Sequence, residues 1–172
     1  MLRRIHYLKK NLKEENINWI QEDHFHITIK FLGKTPSDQI EEVSRILQGV
    51  SENQASFEMS VEKVALFGSQ YHPRVIWMGV EPESILRGIH ESITDGLESI
   101  GLKKDRQNFV PHLSIARIRK LNNKDHFRKV FEKVEQGMIQ KEMVRSIILY
   151  ESILHPKGAE YRIVKEFPLI GL

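Results

Sequence analysis

The chain has 172 residues, of which 40% are hydrophobic and 28% charged, an ordinary globular balance with room for one sizeable core. No apolar run approaches the ~18 residues of a membrane span, no basic-then-apolar start suggests export, and a cytoplasmic location is the default. The lack of cysteine excludes disulfides, thiol nucleophiles and thiolate metal sites. An excess of 26 Lys+Arg over 23 Asp+Glu, net +3, favours anionic partners such as nucleic acid, although no arginine-rich arm or basic tail is present.

The opening MLRRIHYLKK is helical in pattern, and a helix is predicted over about 2–14. Residues 23–33, EDHFHITIKFL, alternate strictly: Phe25, Ile27, Ile29 and Phe31 on one face, His24, His26, Thr28 and Lys30 on the other. Period two marks a half-buried strand. Thr35-Pro36-Ser37-Asp38 is a helix start, and Ile40, Val43, Ile46 and Leu47 carry a helical stripe through 37–49. Strands are predicted near 54–66 and 73–80, joined by a turn region from Gly68 to Pro73. A helix over 83–100, with Ile85, Ile89, Ile93, Leu97 and Ile100 on one side, closes at Gly101. A strand near 109–117 carries FVPHLSIAR, a helix near 123–136 carries Phe127, Val130, Phe131 and Val134, and strands follow near 142–154 and 160–167.

The second series repeats the first. His112 follows His26 by 86 positions (112 − 26), and the same offset carries the first helix and the next strands onto their later counterparts. The expectation is two similar β-α-β-β halves, over 17–81 and 105–168, within one domain spanning 1–172. No Pro/Gly/Ser-rich linker separates them.

Each half opens on His-x-(Thr/Ser): His26-Ile27-Thr28 and His112-Leu113-Ser114. On a strand, residues i and i+2 share a face, so each motif presents an imidazole beside a hydroxyl. Two imidazoles and two hydroxyls around one point suit in-line displacement at phosphorus. One neutral imidazole takes a proton from water and one protonated imidazole gives a proton to the leaving oxygen; a free imidazole with a pKa near 6.5 supplies both forms close to neutrality. The hydroxyls donate to the non-bridging oxygens. A strained cyclic diester needs no metal or other cofactor for this chemistry. Spacing does not assign which histidine is acid and which base.

The stretches HITIKFLG at 26–33 and PHLSIAR at 111–117 resemble the paired motifs of the 2H (two-histidine) phosphoesterases, and within them the RNA 2′,3′-cyclic phosphodiesterases, also called 2′-5′ RNA ligases. FGSQYHPRVIWMGV at 67–80 and LYESILHPKGAEYRIVKEFPL at 149–169 are similar to family segments too, so the resemblance covers most of the chain. It implies an α+β, bilobal LigT-like fold with antiparallel sheets around a central cleft. It also implies that His26 is the proton donor to the leaving 3′-oxygen, that His112 is the proton acceptor activating water, and that Thr28 and Ser114 hold the phosphate. RNA 3′ ends or nucleoside 2′,3′-cyclic phosphates are the implied partners, and a 2′-phosphate end the implied product. Ser114 stands where the family commonly has Thr, a change that keeps the hydroxyl.

Lys30, on the His26 face, is a candidate for an RNA phosphate. Arg117 is another, although strict alternation puts it on the Leu113/Ile115 side unless the strand bends. By alternation His24 shares the reaction face. A His24-x-His26 metal site is the weaker reading, because no third ligand stands at suitable spacing. Tyr71, Phe109 and Tyr150 are stacking candidates, packing being the more ordinary use of Phe109. Trp77 reads as core, and His6, His72, His90, His126 and His155 as incidental. The same site would serve a ligase joining a cyclic phosphate to a 5′-hydroxyl, and a non-catalytic RNA-end binding module is the other alternative. Family members usually begin with a short apolar strand before the opening helix; here that strand is expected to be absent, leaving a sheet edge unpaired.

Overall fold

The computed structural model describes residues 1–69, 71–103, 108–155 and 158–171. The expected start of the second half at 105, and residue 70 of the first turn, lie outside them. The fold is α+β, with four α-helices and seven strands among the described residues, in antiparallel sheets of five and two strands. Two compact units form, each from three chain segments. The first contains Met1–Thr28, Ser60–Pro82 and Pro111–Lys141; the second contains Ile29–Met59, Glu83–Val110 and Glu142–Leu172. Each unit therefore takes segments from both sequence halves.

The larger sheet has the order β1 (Asn16–Trp19), β4 (His112–Lys120), β3 (His72–Glu81), β2 (Phe57–Ser69), β5 (Gln140–Val144). In the first unit, helix α1 (Leu2–Asn11) buries Ile5 and Leu8, and Leu12 follows them inward. Ten residues are too few for a stable isolated helix; burying these three side chains, at about 1.5–3 kcal/mol each, holds it. Helix α4 (Lys124–Glu132) is capped by Asn123, whose side chain accepts the His126 N–H at 2.9 Å. The Glu15 carboxylate accepts backbone N–H groups of Asn122 and Asn123 just before that helix. Glu15 is a buried charge satisfied by donors where the helix dipole favours an anion.

In the second unit, helices α2 (Ile40–Ser51) and α3 (Glu83–Ser99) bury the predicted stripes, Val43 and Leu47 on one, Ile89, Ile93 and Leu97 on the other. The hairpin of β6 (Ser146–His155) and β7 (Gly158–Pro168) supplies the buried Phe167.

Three expectations need correction. The single strand predicted near 142–154 is two, β5 and β6, parted at Arg145; the first lies beside β2 and the second pairs with β7. Strand β1 is not among the predicted elements: Ile17 and Trp19 alternate with Asn16 and Asn18, but four residues are too short a run to mark a strand. The strand expected over 23–33 is also not regular. Glu22–His24 form a 3₁₀ turn, and residue 27 alone makes a β-bridge. Phe31 is 69% exposed, so the alternating apolar set does not form one buried face.

Candidate active site

The site grows from the side of β4 that faces away from β3. Strand β1 pairs with the later part of β4, Asn18 opposite Arg117 and Trp19 opposite Ala116, and the Ile20 N–H continues the ladder to the Ile115 carbonyl at 3.0 Å. The polar run Gln21-Glu22-Asp23-His24 then leaves the edge as a 3₁₀ turn. The chain returns at Ile27, which makes an isolated antiparallel bridge to Leu113.

That bridge joins the centres of the two His-x-(Thr/Ser) motifs. In an antiparallel pair the flanking residues oppose one another in crossed order. His26 therefore stands across from Ser114, and Thr28 across from His112. Because side chains alternate, these four project from the face opposite Ile27 and Leu113, and Leu113 is buried. By this register each histidine stands opposite the hydroxyl-bearing residue of the other motif. All four residues belong to the first unit.

The His26 Nδ1–H donates to the His24 carbonyl at 2.8 Å. A carbonyl only accepts, so Nδ1 keeps its proton and Nε2 is the nitrogen that gains or loses one. This corrects the expectation for His24. It lies in the 3₁₀ turn, not on the strand face, and its imidazole is 4.0 Å from the Asp23 carboxylate. Its backbone is what engages His26.

His112 packs against two rings. Phe67 meets it edge-on with centroids 4.8 Å apart, Trp77 lies at 5.9 Å, and Phe67 and Trp77 stack at 4.7 Å. Trp77 is buried, as the apolar run implied, yet it also packs against His112. Phe67 was missed. The hairpin around Gly68 would have exposed it: Gly68 has φ +107, a conformation that favours glycine, and fixing the turn there sets Phe67 opposite Val75, on the face of Trp77.

A bulge decides where Arg117 points. Ile76 pairs with Ala116 and Trp77 with Ser114, which leaves Ile115 extra in β4. Ile115 and Ala116 are consecutively buried and Arg117 is exposed. Beyond the bulge the parity flips, so Arg117 shares a face with His112 and Ser114 instead of with Leu113. Strict alternation gives the opposite answer.

Lys30 belongs to the second unit, and its ammonium donates to the Lys103 carbonyl at 3.2 Å. Phe109 stacks on His90 at 4.3 Å, while Tyr71 and Tyr150 are exposed. Two histidines read as incidental have bonds: His90 to the Ile29 carbonyl and His126 to the Asn11 carbonyl, each at 2.8 Å. Among the described residues no three His, Asp or Glu side chains gather as a metal site, and no helix is long and apolar enough to cross a membrane.

Comparison with known proteins gives the family and the fold. Residues 2–77 match the family LigT like Phosphoesterase. The chain is 31% identical over 157 residues to an RNA 2′,3′-cyclic phosphodiesterase of Aquifex aeolicus, covering 89% of this chain and 82% of that one. It is 27% identical over 159 residues to a protein of the same name from Methanocaldococcus jannaschii, covering 92% and 88%. The crystal structure of Escherichia coli LigT complexed with 3′-AMP superimposes with a TM-score of 0.77 at 18% identity, over 98% of this chain and 90% of that one.

Proposed function

Because this chain belongs to the LigT-like phosphoesterases and is an RNA 2′,3′-cyclic phosphodiesterase, we propose that His26 and His112 open the cyclic phosphate as a metal-independent acid–base pair. His112 accepts a proton from the attacking water. The water oxygen bonds to phosphorus as the bond from phosphorus to the ribose 3′-oxygen breaks, and His26 Nε2 delivers its proton to that oxygen. The product is a 2′-phosphate beside a 3′-hydroxyl. The two histidines finish in exchanged protonation states and reset through solvent.

The Ile27–Leu113 bridge carries this reading, because it brings both imidazoles and both hydroxyls onto one face. Thr28 and Ser114 donate to the non-bridging oxygens, whose charge shifts in the transition state. The hydrogen bond from His26 Nδ1 to the His24 carbonyl supports the donor role by leaving Nε2 to carry the transferred proton. The aromatic wall supports the other role by restricting how the His112 ring turns. Arg117, on the same face, suits a phosphate by charge and fork geometry. Lys30 is held to a backbone carbonyl and is the weaker partner of the two.

The test is turnover of the four nucleoside 2′,3′-cyclic phosphates by the pure protein in saturating chelator, with the product isomer identified. The 2′-phosphate is expected. A 3′-phosphate would reverse the assignment of the leaving oxygen, and absence of turnover would remove the reading.

A further inference from the structure

Strands β2 and β3 pair regularly except at one point. Val61 faces Val80 and Val64 faces Met78, so two residues, Glu62 and Lys63, stand against the single residue Gly79. A bulge of this kind bends its strand and re-aims a side chain. Gly79 in turn pairs with His112 across β3 and β4. A side chain at position 79 would therefore stand next to the His112 imidazole on the reaction face.

Glycine leaves that space open and Lys63 occupies it. A Cβ placed on Gly79 would meet the Lys63 Cγ and Cε at 2.9 Å each. The ammonium lies one bond beyond Cε, so the lysine stem lies over Gly79 of β3. Gly79 is buried and Lys63 exposed. The ordinary use of a strand lysine is solvation; here a bulge and a glycine act together to lay this one over the strand partner of His112.

Building on the cyclic phosphodiesterase reading above, we propose that Lys63 binds the phosphodiester preceding the terminal nucleotide, and so makes the site favour oligonucleotide ends over mononucleotide cyclic phosphates. The side of approach decides which phosphate it takes. The reacting phosphate belongs with the quartet, between β4 and the segment at Ile27. Lys63 lies over Gly79, on the opposite side of β4 from Ile27, and Gly79 and Ile27 are about 10 Å apart across two strand spacings. An ammonium there suits a second anion one nucleotide away. Lysine is a mobile point charge, fitted to a backbone phosphate whose position varies with sequence.

The experiment compares the parent protein with Lys63→Met, Lys63→Arg and Gly79→Ala. Each is assayed on a short RNA ending in a 2′,3′-cyclic phosphate and on the matching nucleoside 2′,3′-cyclic phosphate. The readout is the ratio of kcat/KM for the two substrates. Lys63→Met, which keeps the stem and removes the charge, is expected to lower that ratio about tenfold, the effect of ~1.4 kcal/mol. Lys63→Arg should recover most of it. Gly79→Ala should shift the ratio in the direction of Lys63→Met, because the new methyl displaces the flexible stem. In equilibrium binding of the 2′-phosphate RNA product, the slope of log K against log salt should fall by about 0.7 in Lys63→Met, as for one phosphate on a single strand. An unchanged ratio overturns the proposal. Equal losses on both substrates also overturn it, since they place Lys63 at the reacting phosphate. If the parent turns over neither substrate, the phosphodiesterase reading itself has failed; a ratio insensitive to Lys63 in an active parent defeats this inference alone.

Discussion

Replacing Phe67 with leucine tests whether the aromatic wall orients His112. The leucine stays apolar and roughly fills the space, but it removes the edge-on contact at 4.8 Å to the imidazole and the stacking at 4.7 Å on Trp77. An aromatic pair of this geometry contributes about 0.5–1.5 kcal/mol beyond its buried area. The stack on Trp77 bears on stability; the contact with His112 bears on the reaction. If the whole of the latter is used to hold the ring in its reactive orientation, kcat should fall roughly two- to twelvefold. KM for a nucleoside 2′,3′-cyclic phosphate should change little, because Phe67 has no assigned contact with the substrate. Steady-state kinetics at several substrate concentrations separate the two constants, and a melting curve establishes that the variant is folded. Phe67→Tyr keeps a ring edge at the same place and should restore most of the rate. A folded Phe67→Leu variant with parental kcat would refute the orienting role, as would a rise in KM with kcat constant.

Glu15→Ala removes the acceptor of two backbone N–H groups ahead of α4; because Asn122 and Asn123 are exposed to water, the loss should be about 2 kcal/mol. That corresponds to a Tm lowered by roughly 4–8 °C, read by thermal melting, with a smaller drop in Glu15→Gln. The rate should be bell-shaped in pH, since one imidazole must carry a proton while the other does not, and the two limbs belong to the pair. Activity should be insensitive to saturating chelator; loss on chelation with recovery on adding a divalent ion would contradict the acid–base reading. Thr28→Ala and Ser114→Ala should each slow turnover less than removal of either histidine while leaving the melting temperature near the parent's, and a larger loss would give the hydroxyls a greater role.

The helices were legible because their stripes are long and regular: Val43 and Leu47 on α2 and Ile89, Ile93 and Leu97 on α3 are buried as the periodicity predicts. The motifs were legible because they recur. What the sequence hid is the way the first motif reaches the sheet. Alternation through residues 23–33 suggests one strand, whereas ladder contacts run from Asn16 to Ile20, break at the polar 3₁₀ turn, and resume only at Ile27. Whether a stretch is a strand depends on its partner's edge, which is non-local. Bulges are hidden for the same reason. Ile115 reads as another inward residue, but the extra residue it adds to β4 reverses the side on which Arg117 emerges. The bulge at Glu62-Lys63 likewise has no signature in EKV at 62–64, and Lys63 looks like any solvated lysine until Gly79 is seen opposite.

The central claim is that His26 and His112 form one acid–base unit on one face of the sheet. Turnover of a nucleoside 2′,3′-cyclic phosphate by folded His26→Ala, His112→Ala and the double variant tests it most directly. Each single variant should lose roughly 10²–10⁴ in kcat, and the double variant should lose far less than the product of the two. Parental activity in either folded single variant, or losses that multiply in the double, would contradict it.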